Sequence, residues 1–413
     1  MRNRMHDRDP MLAIDIGTTK VCAVVARRNE RRVIEILGHG LHPCSGLSAT
    51  GIVNLEEIVA SISNACHKAL NHVPGLEISQ AVTAVSGTFI QSQNTTGSLI
   101  LSKHGRPVNP ADIQQCTAAA IRKSVPSEFE VIHSLPRWFR LDETPFIRDP
   151  VGMVGTLLEV DVHLIIGRVS ILKNLRRCVA KAGFGVEELV YQPVASSHSV
   201  LSEDEKNIGV ALVNIGGETT SLLVFIEGSI YHSETLGIGG EDITRDINHY
   251  FQTPLESAEQ LKKYAGSAWL EAVDPEEPLE VVRFKNRRTI TVKRRLLCTV
   301  IEARVEEIIE EVLRSLRSRG LMDSIFGGVV LTGGSALLEG IQEKARDQLQ
   351  WDAHIGFPNG VAGYEEIVSS PSYATVIGLL HYGYERRDAR AAVYGPGWPG
   401  AFRRAWEWLR ETF

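Results

Sequence analysis

The stretch Asp15-Ile16-Gly17-Thr18-Thr19-Lys20 has the residue types and spacing to hold a polyphosphate. A glycine at a turn lets the backbone approach an anion, and the N–H groups and hydroxyls after it can donate to phosphate oxygens. Lys20 adds a cation, and Asp15 is an acid suited to holding a hydrated Mg2+ beside the phosphates. The pattern returns at Asn214-Ile215-Gly216-Gly217-Glu218-Thr219-Thr220, where Asn214 aligns with Asp15 and Gly216 with Gly17. Two such loops facing each other would clamp a polyphosphate from both sides. A third, Thr332-Gly333-Gly334-Ser335-Ala336, has glycines that let a purine and ribose lie against the backbone. Any one of these is an ordinary turn; the three in this order are far more specific.

The elements that must position these loops are legible around them. Residues 11–26 (MLAIDIGTTKVCAVVA) read as strand, tight turn and strand, a β-hairpin. Residues 209–228 (GVALVNIGGETTSLLVFIEG) repeat that layout about 200 residues later, which suggests two similar lobes facing one ligand. Residues 327–340 close a strand and are expected to open a helix. Residues 88–165 alternate strand-like stretches around a helix near 110–124, as a separate α/β insertion would. Residues 244–326 hold an acid-rich loop, a basic segment and a helix over about 295–318 that buries Ile301, Val305, Ile308, Val312 and Leu316 at helical spacing. Residues 379–390 end the globular part, and 395–400 (GPGWPG) form a linker that neither helix nor strand can cross.

Composition narrows the class. A chain of 413 residues with 43% hydrophobic and 23% charged residues is globular, with room for two or three domains. A net charge of −6 is too mild for a dedicated nucleic-acid binder. The six Cys show no CxxC spacing and the thirteen His no HxxxH pair, so thiols in a reducing compartment are expected and a His or Cys metal site is not. Asp15 interrupts the first apolar run, which argues against a signal peptide. No apolar stretch approaches the roughly 18 residues of a membrane span. A cytoplasmic protein with only peripheral membrane contact is expected.

The loops DIGTTK, NIGGETTSLLVF and VVLTGGSALLEG resemble the two phosphate motifs and the adenosine motif of the actin/Hsp70/sugar-kinase ATPase fold. Within that superfamily the chain resembles, over nearly its whole length, the FtsA family of actin-like bacterial cell-division proteins. Residues 253–263 (TPLESAEQLKK), 300–307 (VIEARVEE) and 371–383 (PSYATVIGLLHYG) also match, as do the placement of the insertion and the short tail after a Pro/Gly linker. The resemblance implies an α/β, actin-like ATPase fold of two lobes, with an inserted 1C subdomain and a C-terminal amphipathic helix. Subdomain 1A would occupy residues 10–87 and 166–206, 1C 88–165, 2A 207–243 and 327–384, and 2B 244–326. The linker would be 385–400 and the helix 401–413.

ATP and Mg2+ are the cofactors it implies. Their contacts would be Gly17, Thr18, Thr19, Lys20, Gly216, Gly217, Thr219, Thr220, Gly333, Gly334 and Ser335, to which the resemblance adds Gly239, Gly240, Glu259 and Lys262. Asp15, on the metal through water, and Asn214 take the catalytic positions. The implied function is an ATP-binding adaptor, polymerising head to tail through 1C and 2B. It would tether FtsZ filaments to the cytoplasmic face of the inner membrane at the septum and help recruit other division proteins. The rivals are another actin-like adaptor, such as a PilM-type pilus assembly protein, and a small-molecule kinase of the same superfold. The chain departs from the family where the second loop usually begins with Asp. Asn214 brings no charge there, and Glu218 replaces a common Gly, adding a negative charge near the phosphates. Both departures should weaken hydrolysis more than binding, so at most slow turnover is expected.

Two segments point to partners. Residues 283–295 (RFKNRRTITVKRR) carry seven cations and no acid. They read either as a solvated hairpin balanced by the acids at 271–280, or as a basic rim for a short peptide with apolar and acidic residues. In the FtsA family this region receives the C-terminal peptide of FtsZ, which makes Lys293, Arg295 and Arg304 candidates. Residues 401–413 (AFRRAWEWLRETF) gather Phe402, Trp406, Leu409 and Phe413 within about 60° of a helical wheel, widened by Trp408. Arg403 and Arg404 lie on the opposite, charged side. Such a helix suits a lipid interface.

Overall fold

The computed structural model describes residues 10–284 and 288–394, the last three by backbone alone. Two sheets repeat one plan. In the first, Met11–Ile16 pairs antiparallel with Lys20–Arg28 and parallel with Gln80–Val85. In the second, Val210–Ile215 pairs antiparallel with Thr220–Ile226 and parallel with Val329–Thr332. The registers correspond as well: Asp15 faces Cys22 as Asn214 faces Ser221. Ile34–Pro43, Gly185–Tyr191 and Val361–Ala362 complete a six-stranded sheet, and Ser229–Leu236 and Ala353–Ile355 a five-stranded one.

The central strands are almost continuously apolar because both faces of each sheet are covered. Leu55–Asn71, capped by the Asn54 side chain on the Glu56 and Glu57 amides, lies against Ile34–Pro43. A Cβ at Gly40 would sit 2.1 Å from the Ala65 carbonyl, so only glycine permits that approach. Ala374–Tyr394 packs on Gln192–Val200. On the second sheet the long helix Arg294–Ser318 buries Ile301, Val305, Ile308, Val312 and Leu316, the stripe expected from spacing. One hydrophobic core runs from the first sheet to one face of the second, including Leu212, Leu223 and Val330, and another fills the second sheet's other face beneath Arg294–Ser318.

A third core belongs to a four-stranded sheet of Ile90–Ile100, Leu157–Arg168, Phe129–Leu141 and Thr144–Ile147, backed by the helix Pro110–Ser124. This sheet leans on the edge strand Ser229–Leu236. Asn94 Nδ2 donates to the Tyr231 carbonyl at 3.1 Å, and His163 Nε2 lies 2.8 Å from Ser233 Oγ. Burial pushes the His163 imidazole down to about 3, so it sits there neutral.

The helix expected beyond residues 327–340 is present as Ile341–Leu349, preceded by a single 3-10 turn, Gly334–Leu337. Gly340, with φ +76°, intervenes. All six cysteines are free and buried. Among the described residues no helix is long and apolar enough to cross a membrane. The tail 401–413, with Phe402, Arg403, Arg404, Trp406, Trp408, Leu409 and Phe413, and the linker 395–400 lie outside the described residues.

Candidate functional site

The three glycine loops converge on one cleft of about 610 Å3. Each arrives at a strand end. In both hairpins the first glycine closes the turn: Gly17 N–H donates to the Lys20 carbonyl at 3.0 Å, and Gly216 N–H to the Thr219 carbonyl at 2.8 Å. The next amides are left over. Among the described residues, those of Thr18, Thr19 and Gly217 donate to no protein group. The loops touch, since Glu218 N–H donates to Thr18 Oγ1 at 3.3 Å and a Cβ on Gly217 would lie 2.4 Å from Thr19 Cγ2. Ser335 Oγ donates to the Gly216 carbonyl at 3.1 Å and ties the third loop to the second. Gly333 has φ +90° and lies where a Cβ would meet Asn214 Oδ1 at 2.5 Å, so no other residue fits. At Gly334 a Cβ would meet open space.

The cleft is lined by Asp15, Gly17, Thr18, Thr19 and Lys20 from the first loop, and by Asn214, Gly216, Gly217 and Thr219 from the second. Gly240, Glu259, Lys262, Gly333, Gly334 and Ser335 also line it. Two expected contacts are not brought there. Thr220 is fully buried, with its hydroxyl on the Ile238 carbonyl at 2.8 Å, because strand alternation turns it away from Thr219's side. Gly239 packs behind the second loop, where a Cβ would lie 2.4 Å from the Gly217 carbonyl. Glu218 is also displaced from its expected place near the phosphates. Its carboxylate turns outward to Arg245 and the Ala49 amide. Residues not singled out in the sequence complete the wall, among them Ser86, Gln192, Glu241, Tyr264, Leu337 and Thr375. Leu337 and Thr375 fall inside the matched segments 329–340 and 371–383, while the other four come from separate elements with no local pattern, and only the exposure of Tyr264, 84%, marks it as unusual.

Asp15 dominates the electrostatics. Among the described residues no hydrogen bond reaches its carboxylate, and burial pushes its pKa from 3.8 up to about 6, with Lys20 opposing. Lys20 Nζ lies 5.5 Å over the Tyr373 ring. Asn214 is 2% exposed and donates through Nδ2 to Ser196 Oγ at 3.0 Å. Glu259 is raised by burial, but hydrogen bonds from Lys262 and Thr244 outweigh that and hold it below the usual range. Lys262 Nζ also donates to the Gly240 carbonyl at 2.8 Å and to Thr244 Oγ1 at 2.7 Å, pinning the helix Gly240–Phe251.

The candidate peptide contacts lie elsewhere. Lys293 ends the strand Thr289–Lys293 and pairs with Glu276 at 2.6 Å, the balance of acids and cations that the solvated-hairpin reading expected. Arg295 donates to the Leu270 carbonyl at 3.4 Å. Arg304, nine residues or about 14 Å further along the helix, is held bidentately by Asp246 at 2.6 and 3.0 Å. Lys293, Arg295 and Arg304 are thus each engaged within the chain, and residues 285–287 of the basic segment lie outside the described residues.

Comparisons with known proteins bear on this arrangement. The family model "Cell division protein FtsA" matches residues 211–378, and "SHS2 domain inserted in FTSA" matches 87–166. The cell division protein FtsA of Pseudomonas aeruginosa is 35% identical over 378 residues, covering 92% of this chain and 90% of that one. The chain belongs to the FtsA family. FtsA of Bacillus subtilis is 36% identical, over 92% of this chain and 84% of the relative, and FtsA of Escherichia coli 32% identical, over 98% and 99%. Solved structures extend the likeness of fold. A chain of the PilM–PilN type IV pilus biogenesis complex superposes with a TM-score of 0.67 at 18% identity, over 91% of this chain and 99% of that one. MreB 5 of Spiroplasma citri bound to AMPPNP gives 0.56 at 13%, over 93% and 98%. The chain is thus a cell-division protein of the FtsA family, with an actin-like α/β fold and an inserted SHS2 domain.

Proposed function

We propose that this chain binds ATP with Mg2+ between its two lobes and works as a membrane adaptor for FtsZ in cell division. The observation that carries the nucleotide reading is the convergence of three glycine loops, with unpaired amides at Thr18, Thr19 and Gly217, on one cleft that holds a partnerless carboxylate. Free N–H donors on opposed turns are what phosphate oxygens need. A related fold with AMPPNP bound, MreB 5, supports the assignment. Among the described residues no cluster of three or more metal-ligating side chains exists. A magnesium ion would therefore be held mainly by phosphates and water, with Asp15 as its protein anchor. The donor set fits that role, since a carboxylate raised by burial and left without hydrogen bonds gains most from a nearby cation. Bound there, the ion would neutralise phosphate charge.

The other roles follow the residues. Lys20 supplies a cation to the phosphates, and Gly334 leaves open the space an adenosine would fill. Asn214 aims an amide, already committed to Ser196, where a carboxylate would be needed to activate water. Slow hydrolysis is therefore the reading for this chain, and a small-molecule kinase is disfavoured. The subdomain boundaries 10–87 with 166–206, 88–165, 207–243 with 327–384, and 244–326 belong to the same proposal. So do head-to-tail polymerisation and an FtsZ peptide on the 293–304 rim. The proposed location is the cytoplasmic face of the inner membrane at the septum, held by the 401–413 helix.

Binding of Mg–ATP to the full chain and to Gly334→Trp tests the central site. The Trp has backbone room but must project into the cleft, so affinity should fall at least about tenfold, or 1.4 kcal/mol, with the fold intact. Equal affinity in the two would remove the third loop from the site.

A further inference from the structure

Glu218 stands inside the second glycine loop yet does not line the cleft. Its carboxylate bridges two other elements. Oε2 accepts from the Ala49 N–H at 2.8 Å, and Oε1 from Arg245 Nη2 at 3.0 Å. Arg245 Nη1 also donates to Asp242 Oδ1 at 3.0 Å, and Asp242 Oδ2 accepts from the Gly239 N–H at 2.8 Å. One continuous chain of charged groups therefore joins the start of the helix Gly240–Phe251, the second glycine loop and Ala49.

Ala49 lies across the cleft. It forms the turn between Leu47–Ser48 and Gly51–Ile52, and Leu47 reaches the cleft wall. The Ala49 carbonyl is fixed in turn by the Thr88 N–H at 2.8 Å and the Thr88 hydroxyl at 3.1 Å. Ala49 is thus anchored through its carbonyl while its N–H donates to the opposite lobe.

We propose that Glu218 is a positioning residue that latches the two lobes over the cleft and sets how fast a nucleotide leaves. This rests on the nucleotide reading above. A carboxylate accepting from a backbone N–H makes a stronger bond than a neutral pair, and the Glu218 side chain is only 25% exposed. Arg245, at 52%, orients the carboxylate more than it strengthens the latch. A ligand held between opposed loops leaves only when the lobes part, and parting them must break the Glu218–Ala49 bond. The neighbouring contact from Glu218 N–H to Thr18 Oγ1 is neutral and longer, at 3.3 Å, so the carboxylate makes the stronger of Glu218's own bonds to the first lobe.

The test uses the full chain. N-methylanthraniloyl-ATP is bound with Mg2+ and chased with excess unlabelled ATP. Losing one charge-assisted bond should speed release about tenfold in Glu218→Ala. Glu218→Gln, which keeps an acceptor for Ala49 but loses the charge facing Arg245, should fall in between. Identical release from the wild type and Glu218→Ala would overturn the latch. In parallel, amide hydrogen exchange over residues 47–52 is followed in nucleotide-free protein, where Glu218→Ala should expose the Ala49 amide. Unchanged protection there overturns the latch whether or not nucleotide binds. A wild-type chain that takes up no labelled ATP would instead refute the nucleotide reading, and the exchange experiment would still decide the latch.

Discussion

Replacing Asp15 by Asn should stabilise the empty protein and weaken it as a nucleotide binder. The Asp15 carboxyl is raised from 3.8 to about 6, first by burial, with Lys20 partly offsetting. Its proton is therefore held more tightly in the folded chain than in the unfolded one. Stability is full below about pH 4, falls as pH rises through about 6, and stays low above that. At about 1.4 kcal/mol per tenfold change in proton affinity, the whole shift is worth roughly 3 kcal/mol. Asp15 is half-buried rather than sealed, so solvent screening should reduce this to about 1–2 kcal/mol. The assay is thermal melting between pH 5 and 7.5, with and without Mg–ATP. Without nucleotide, Asp15→Asn should melt a few degrees above wild type at pH 7.5, with a smaller gap at pH 5. With Mg–ATP the order should invert, because saturating ligand at about 100 Kd adds about 2.7 kcal/mol and the variant cannot anchor the hydrated cation. A variant that melts lower at pH 7.5 without ligand, or a gap independent of pH, would refute the assignment of Asp15 as a desolvated carboxylate awaiting a cation.

Asn214→Asp should raise the steady-state ATPase rate while leaving affinity within a few fold; a flat or lower rate would place the limit on other groups. The same change puts a carboxylate at a site 2% exposed, so the empty protein should also lose stability as pH rises from about 5 to 7. Reversing charge at Lys293 and Arg295 should weaken an FtsZ C-terminal peptide and spare ATP binding. The loss should shrink at high salt, where screening lengths fall below about 8 Å. Full peptide affinity in that double variant would move the docking surface elsewhere.

Much of the fold was legible because its signals are local. A continuous apolar run broken by a glycine turn marks both hairpins, and the common offset of Asp15–Asn214 and Cys22–Ser221 exposes the duplication. The stripe Ile301 to Leu316 follows from helical spacing alone. The site was legible only where it coincides with a motif. Gln192 and Ser86 reach the cleft because separate strands end there, which no local pattern encodes. Glu218 and Thr220 were misdirected for a related reason. Position in a glycine loop does not say which way a side chain turns, and here Arg245 and Ala49 draw one outward while strand alternation buries the other.

The most direct measurement is co-sedimentation of purified FtsZ with liposomes in the presence of the full chain or its Trp406→Glu variant. Burying Phe402, Trp406, Leu409 and Phe413 offers roughly 6–12 kcal/mol at 1.5–3 per side chain, much of it offset by ordering so short a helix. A single foot should bind weakly and a polymer of many feet tightly. FtsZ should pellet with vesicles when the intact chain and Mg–ATP are present, and stay in solution with Trp406→Glu. FtsZ that pellets equally well with the variant, or never pellets with the intact chain, would contradict the role of membrane adaptor.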